Sequence, residues 1–278
     1  MGPLVSADWL RAHISDTRTR ILDASYYLPT EGKDAAALFA IAHIPGARFF
    51  DLDVIADHES QLPHMLPRPA DFATAVAAMG VGRESRVVVY DQRGIFSAAR
   101  LWWMFRVFGH DDVAVLDGGL PAWMATDGAV ENGAPDTATA GDFSAGFRQH
   151  MVRDLADIQR NLTTGAAIIL DARAAGRFDG SVAEPRAGMR SGHIPGSRSL
   201  PFGALLHDGR MRDAAAMRDI FNRHGVDGSR PVVASCGSGV TAAVLALGMV
   251  VAGLPEPAIY DGSWAEYGGR DDTIVGTR

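Results

Sequence analysis

The sequence predicts an α/β protein that uses one domain plan twice, each domain a mainly parallel sheet flanked by helices. Two observations predict it. Short apolar or β-branched runs alternate with helical stretches along the chain, as expected where parallel strands are joined by crossover helices. Four stretches also recur in the same order at offsets of about 144 to 150 residues, and repetition in register marks a duplication.

The repeats carry the elements. Ile21-Leu22-Asp23-Ala24 returns as Ile169-Leu170-Asp171-Ala172, and His43 to Arg48 (HIPGAR) returns as His193 to Arg198 (HIPGSR). Val87 to Asp91 (VVVYD) returns, slightly shifted, as Pro231 to Cys236 (PVVASC). Leu116-Asp117-Gly118-Gly119 with Trp123 returns as Tyr260-Asp261-Gly262-Ser263 with Trp264. In the first domain Val87–Val89 and Val113–Leu116 read as buried strands, and Asp71–Met79 and Ser97–Phe108 as helices. In the second, Ile168–Leu170 and Val232–Ala234 read as strands, and Ala214–His224 and Thr241–Val251 as helices. The stretch from Thr126 to Gly146 is rich in Ala, Gly, Thr, Asp and Pro without apolar periodicity, so it reads as a linker. The expected organisation is a first domain at 1–128, a linker at 129–148 and a second domain at 149–278.

Composition narrows the function classes. With 47% apolar and 21% charged residues among 278, the chain has material for real cores and the character of a soluble protein. A net charge of −7 argues against a partner with a phosphate backbone, so no nucleic acid is expected. The start, MGPLVSADWLRAHISD, lacks the features of a secretory signal. Gly2 and Ser6 fit a myristoylation pattern, without the second signal that stable anchoring needs. The most apolar run, Val240 to Leu254, contains two glycines and is short for a bilayer span, so it reads as a buried helix. A cytoplasmic protein without membrane contact is expected.

Cys236 is the only cysteine, which excludes an internal disulfide and a site of several thiolates on one metal ion. A lone cysteine is ordinarily a small core residue. Its neighbours reverse that reading. Ser235-Cys236-Gly237-Ser238-Gly239-Val240-Thr241 follows a buried strand and leads into an apolar helix, the place where open α/β sheets gather their chemistry. Two glycines let the backbone curl so that several N–H groups can face one sulfur, and with the helix N-terminus they favour thiolate over thiol. A cysteine-dependent phosphatase would need a wider loop with an arginine six positions after the cysteine, but position 242 is Ala242. Nor do the glycines around Ser238 match a serine-hydrolase elbow. A tight, neutral loop suits a small sulfur electrophile.

At these residues the chain resembles the tandem rhodanese-fold family, and within it the 3-mercaptopyruvate sulfurtransferases. The resemblance is carried by HIPGARFFDLD (His43–Asp53), HMLP (His64–Pro67), the stretch Val87–His110, DARAAGRFDGSVAEPRAGMRSGHIPG (Asp171–Gly196), CGSGVTA (Cys236–Ala242) and YDGSWAEY (Tyr260–Tyr267), so it spans nearly the whole chain. It implies two rhodanese-like domains, with the active site at their interface and catalysis in the second, since the first offers Asp91 where the other has Cys236. It implies that Cys236 takes sulfur as a persulfide, and that Arg177 and Arg186, in GRF and EPR, bind a donor carboxylate. Asp53, His64 and Ser238 match a constellation that handles protons beside the thiol. Gly237, Gly239, Val240 and Thr241 complete the loop that receives substrate. Thiosulfate-using relatives carry cationic side chains after the cysteine, whereas Gly237 and Ser238 are neutral, which favours 3-mercaptopyruvate over the alternatives, a thiosulfate sulfurtransferase or a noncatalytic sulfur-carrier or binding module. Thioredoxin, a small dithiol or, in an assay, cyanide would accept the sulfur, and neither metal nor organic cofactor is expected. His43 and His193 recur in both domains and read as structural, as do Asp117 and Asp261 in turns before helices. Trp102, Trp103 and Trp264 read as packing residues.

Overall fold

The computed structural model describes residues 1–134 and 137–277. The chain divides into two compact units: Met1–Asp57 with Leu66–Arg148 and Asp208–Met211 in the first, His58–Met65 with Gln149–His207 and the stretch from Arg212 onward in the second.

In the first unit the order is β1 (Leu4–Val5), α1 (Ala7–His13), β2 (Thr19–Asp23), α2 (Ala35–Ile41), β3 (Arg48–Phe49), α3 (Pro69–Ala78), β4 (Arg86–Tyr90), α4 (Ala98–Val107), β5 (Val113–Leu116) and α5 (Gly119–Met124). Its sheet runs β1-β5-β4-β2-β3, and every pair is parallel. The second unit has β6 (Val152–Arg153), α6 (Leu155–Thr164), β7 (Ile168–Asp171), α7 (Ala175–Asp179) and β8 (Arg198–Ser199). Two short strands, β9 (Leu206–His207) and β10 (Arg210–Met211), stand outside the five-stranded sheets. Then follow α8 (Ala214–Arg223), β11 (Val232–Ser235), α9 (Ala242–Val251), β12 (Ala258–Tyr260) and α10 (Ser263–Tyr267). The second sheet runs β6-β12-β11-β7-β8, again all parallel. The two orders are the same permutation, so the duplication read from four short repeats extends to the whole sheet.

Register fixes what corresponds to what. Tyr90 at the end of β4 pairs with Asp23, and Ser235 at the end of β11 pairs with Asp171. Asp91 and Cys236 are therefore the first residues past equivalent ends of the two central strands. Val87, Val88 and Val89 are fully buried, as strands covered on both faces require. Helix α9 is buried from Ala242 to Met249, which explains its unbroken apolar sequence. The predicted helices form with ends displaced by one or two residues. Pro69, whose fixed φ suits a first turn, starts α3 ahead of Asp71, while Ser97 and Thr241 stand as N-caps outside α4 and α9. Trp102, Trp103 and Trp264 are all fully buried.

Residues 129–148 hold no helix among the described residues, yet they pack on the first unit. Phe143 is buried among the rings of Phe72, Phe105 and His110, and the N–H groups of Gly141 and Gly146 donate to Ala77 and Phe108. Among the described residues no helix is long and apolar enough to cross a membrane.

Candidate active site

The loop between β11 and α9 runs from Cys236 to Thr241. Cys236 is 2% exposed, Ser238 and Val240 are buried, and Gly237 and Thr241 are partly open. The first turn of α10 holds the loop by its carbonyls: Trp264 donates its N–H to Cys236 O at 3.0 Å and Ala265 to Gly237 O at 2.8 Å. Two of the loop's own amides, those of Cys236 and Gly239, donate to Ser263 Oγ at 3.2 and 3.1 Å. Among the described residues, the N–H groups of Gly237, Ser238, Val240, Thr241 and Ala242 donate to no protein acceptor. They form a cluster of unused donors at the positive end of a ten-residue helix, a setting that favours an anion.

The first unit shows what such a loop does when the anion is built in. There the carboxylate of Asp91 takes the Cys236 position. Arg93 donates its N–H to Oδ1 at 2.9 Å, and Phe96, Ser97 and Ala98 donate to Oδ2 at 2.8, 3.0 and 2.9 Å. Leu120 donates to Asp91 O at 3.0 Å, matching the bond from Trp264 to Cys236 O. Counted back from the two helix starts, the amides of Phe96, Ser97 and Ala98 correspond to those of Val240, Thr241 and Ala242. The amide of Arg93, two residues past Asp91, corresponds to that of Ser238. The four donors that converge on a carboxylate in one copy are thus uncommitted in the other.

His64 and Ser238 meet directly, with Nδ1 and Oγ 2.9 Å apart and both residues 5% exposed. His64 has left-handed backbone, φ +60°, an uncommon conformation outside glycine that often marks functional positions. Asp53 belongs to the first unit, exposed on a turn in which Asp51 Oδ1 accepts the N–H groups of Asp53 and Val54 at 2.9 and 3.2 Å.

Arg177 projects from α7 against the loop: a Cβ added to Gly237 would lie 3.1 Å from its Nη2. That guanidinium is held by Glu184, Nε to Oε1 at 3.1 Å and Nη2 to Oε2 at 2.5 Å. Glu184, its side chain 2% exposed, also accepts from Arg173 Nη1 at 2.7 Å. Arg173 in turn grips both oxygens of Asp171 and lies 4.3 Å over the ring of Trp264. Burial works against the Arg173 charge, but Asp171 and Glu184 outweigh it and hold the guanidinium protonated above its ordinary range. Arg186 lies partly buried between α7 and β8. His193 stacks on Phe178, the residue after Arg177, at 4.0 Å and bonds its carbonyl at 2.9 Å, and His43 repeats this with Phe39 at 4.1 and 2.9 Å. Each of these two histidines is fastened to a short helix by a ring stack and a bond to a carbonyl.

Sequence reasoning missed Ser263, Glu184 and Arg173. The signal for Ser263 was present in the repeat, where LDGG becomes YDGS. Glu184 stands in the same EPR stretch as Arg186.

A profile of the rhodanese-like domain matches residues 6–126 and again 154–269. The chain belongs to the rhodanese family. It is 44% identical over 271 residues to human 3-mercaptopyruvate sulfurtransferase, an alignment covering 95% of this chain and 91% of that one. It is 42% identical over 294 residues to the Arabidopsis thaliana protein named thiosulfate/3-mercaptopyruvate sulfurtransferase 1, mitochondrial, covering 98% and 78%. The crystal structure of SseA from Escherichia coli, a 3-mercaptopyruvate sulfotransferase, superposes with a TM-score of 0.86 at 40% identity, covering 95% of this chain and 99% of SseA. The protein is a sulfurtransferase enzyme, and its one cysteine lies in the rhodanese loop of the second unit.

Proposed function

We propose that Cys236 takes sulfur from 3-mercaptopyruvate as a persulfide, releases pyruvate and passes the sulfur to a thiol acceptor. The carrying observation is the neutral, amide-lined Cys236 loop with Arg177 laid against it. The Cys236 thiolate attacks the donor sulfur and a sulfur–sulfur bond forms. The carbon–sulfur bond breaks with its electron pair going to carbon, which leaves the enolate of pyruvate. The hydrogen-bonded Ser238 and His64 deliver the proton that converts it to the ketone, with Asp53 as the third member of that set. The uncommitted amides, with Gly237, Gly239, Val240 and Thr241 shaping the pocket, hold the outer sulfur as an anion. An acceptor thiolate, on thioredoxin or a small dithiol, then attacks the outer sulfur and returns Cys236 to thiolate; cyanide does the same in an assay. Arg177 and Arg186 hold the donor's carboxylate and keto group. No step calls for a metal or an organic cofactor.

Thiosulfate is the competing donor, and two plant relatives carry both donors in their names. With Gly237 and Ser238 neutral, the loop has no cation to offer a dianion. We assign the domain organisation as 1–128, 129–148 and 149–278, and the reaction to the cytoplasm, which subcellular fractionation tests. Mass spectrometry after exposure to donor tests the chemistry: one sulfur, about 32 Da, is expected on the wild type and none on Cys236→Ala. Steady-state rates with the two donors side by side test the donor, and a higher kcat/KM for thiosulfate would reverse the assignment.

A further inference from the structure

The two copies of the loop solve the same folding problem differently. In the first unit four amides close on Asp91, so the loop is templated by a carboxylate built into the chain. In the second unit the corresponding position is a cysteine, whose outer sulfur, on the reading above, comes and goes. Unpaired amides crowded at a helix N-terminus repel one another and have no reason to stay convergent while the anion is away.

Something else holds them. Ser263 is fully buried and accepts the N–H groups of Cys236 and Gly239 on one oxygen, while its hydroxyl donates to Tyr260 O at 2.8 Å. It does so with left-handed backbone, φ +49°, where a residue other than glycine is strained. The first unit has Gly119 here, with φ +57°, and a Cβ on Gly119 would lie 2.2 Å from Asp91 O. The copy that carries its own anion has a glycine and no brace. The copy without one has accepted a strained serine whose oxygen takes up two of the loop's amides.

We infer that Ser263 is a positioning residue for sulfur transfer: it holds the Cys236 loop in its anion-receiving shape between turnovers. It touches neither donor nor the reacting sulfur, and it acts through the two amides it fixes. The inference rests on Cys236 being the sulfur carrier, and the test separates the two. Ser263→Gly removes hydroxyl and strain together, in a backbone that the first unit already builds with glycine. Ser263→Ala removes the hydroxyl but keeps the Cβ and the strain, so it should melt at a lower temperature than Ser263→Gly.

The measurement is single-turnover loading of Cys236 by 3-mercaptopyruvate, followed by mass spectrometry, with donor KM and the lifetime of the loaded form. Both variants should load about tenfold more slowly than wild type, the effect of losing about one hydrogen bond's worth of alignment. Both should lose the bound sulfur faster, with KM little changed because Arg177 and Arg186 are untouched. Wild-type loading in folded Ser263→Gly overturns the inference, as does a loading defect that follows the melting order of the two variants. A wild type that takes up no sulfur at all overturns the Cys236 reading itself.

Discussion

Removing the Asp91 carboxylate should unfold the first unit far more easily than its position in a copy without a thiol suggests. Asp91 is fully buried and accepts four N–H bonds, one on Oδ1 and three on Oδ2. A hydrogen bond to a charged group contributes about 1.5–3 kcal/mol net, so a plain sum over four gives about 6–12 kcal/mol. That sum overshoots, because all four share one desolvation cost and the three donors at the start of α4 can partly rehydrate once the side chain is gone. About 3–5 kcal/mol is the expected loss for Asp91→Ala, near the upper end for any single substitution. Asp91→Asn keeps one acceptor oxygen but turns an amide toward a donor, and should cost about half as much. Trp9, Trp102, Trp103 and Trp123 all lie in the first unit, so tryptophan fluorescence during urea unfolding reports mainly on it. A loss below about 1 kcal/mol for Asp91→Ala would refute the argument that these amides need an anion to close on.

Other perturbations probe separate parts of the molecule. Burial, with the nearby Asp91 charge adding to it, pushes Asp23 up to about 6 from 3.8, although Ser25 and Gln92 bond it. The folded state therefore holds a proton that the unfolded state has released between roughly pH 4 and 6, and stability falls as pH rises through that window, then levels. The full span is of the order of 3 kcal/mol, and Asp23→Asn should abolish this slope whatever its constant offset; an unchanged slope in urea melts at pH 4, 5, 6 and 7 counts against it. Arg177→Lys keeps the charge but loses the fork that Glu184 orients, so the KM for 3-mercaptopyruvate should rise about tenfold, and an unchanged KM removes Arg177 from donor binding. Gly237→Ala pushes a methyl to 3.1 Å from the same guanidinium, which should raise that KM while leaving the melting temperature nearly unchanged.

Much of the fold was legible because duplication leaves marks a single sequence can show. Ile21–Asp23 and Ile169–Asp171 sit on β2 and β7, which hold the same place in their sheets. The Cys236 loop was legible because a buried strand, two glycines and an apolar helix follow one another without interruption. The bond between His64 and Ser238, 174 residues apart, came only from the family resemblance, since nothing local to HMLP points to a hydroxyl partner. Ser263 escaped because its oxygen serves a loop 24 to 27 residues away, and a serine in a turn ordinarily bonds its neighbours. Glu184 and Arg173 escaped because a buried ion pair and a surface one have the same sequence. The stretch from 129 to 148 lacks any periodic pattern because it contributes single anchors such as Phe143 to a cluster formed by other elements.

The single sulfhydryl has a consequence for how the enzyme must be emptied. A second thiol nearby would expel the outer sulfur of a persulfide as sulfide and close a disulfide; this chain has none, so on the proposed mechanism sulfur taken up by Cys236 waits until another molecule collects it. A sulfenic acid formed there has no resolving partner within the chain, and only an external reductant stands between it and irreversible oxidation.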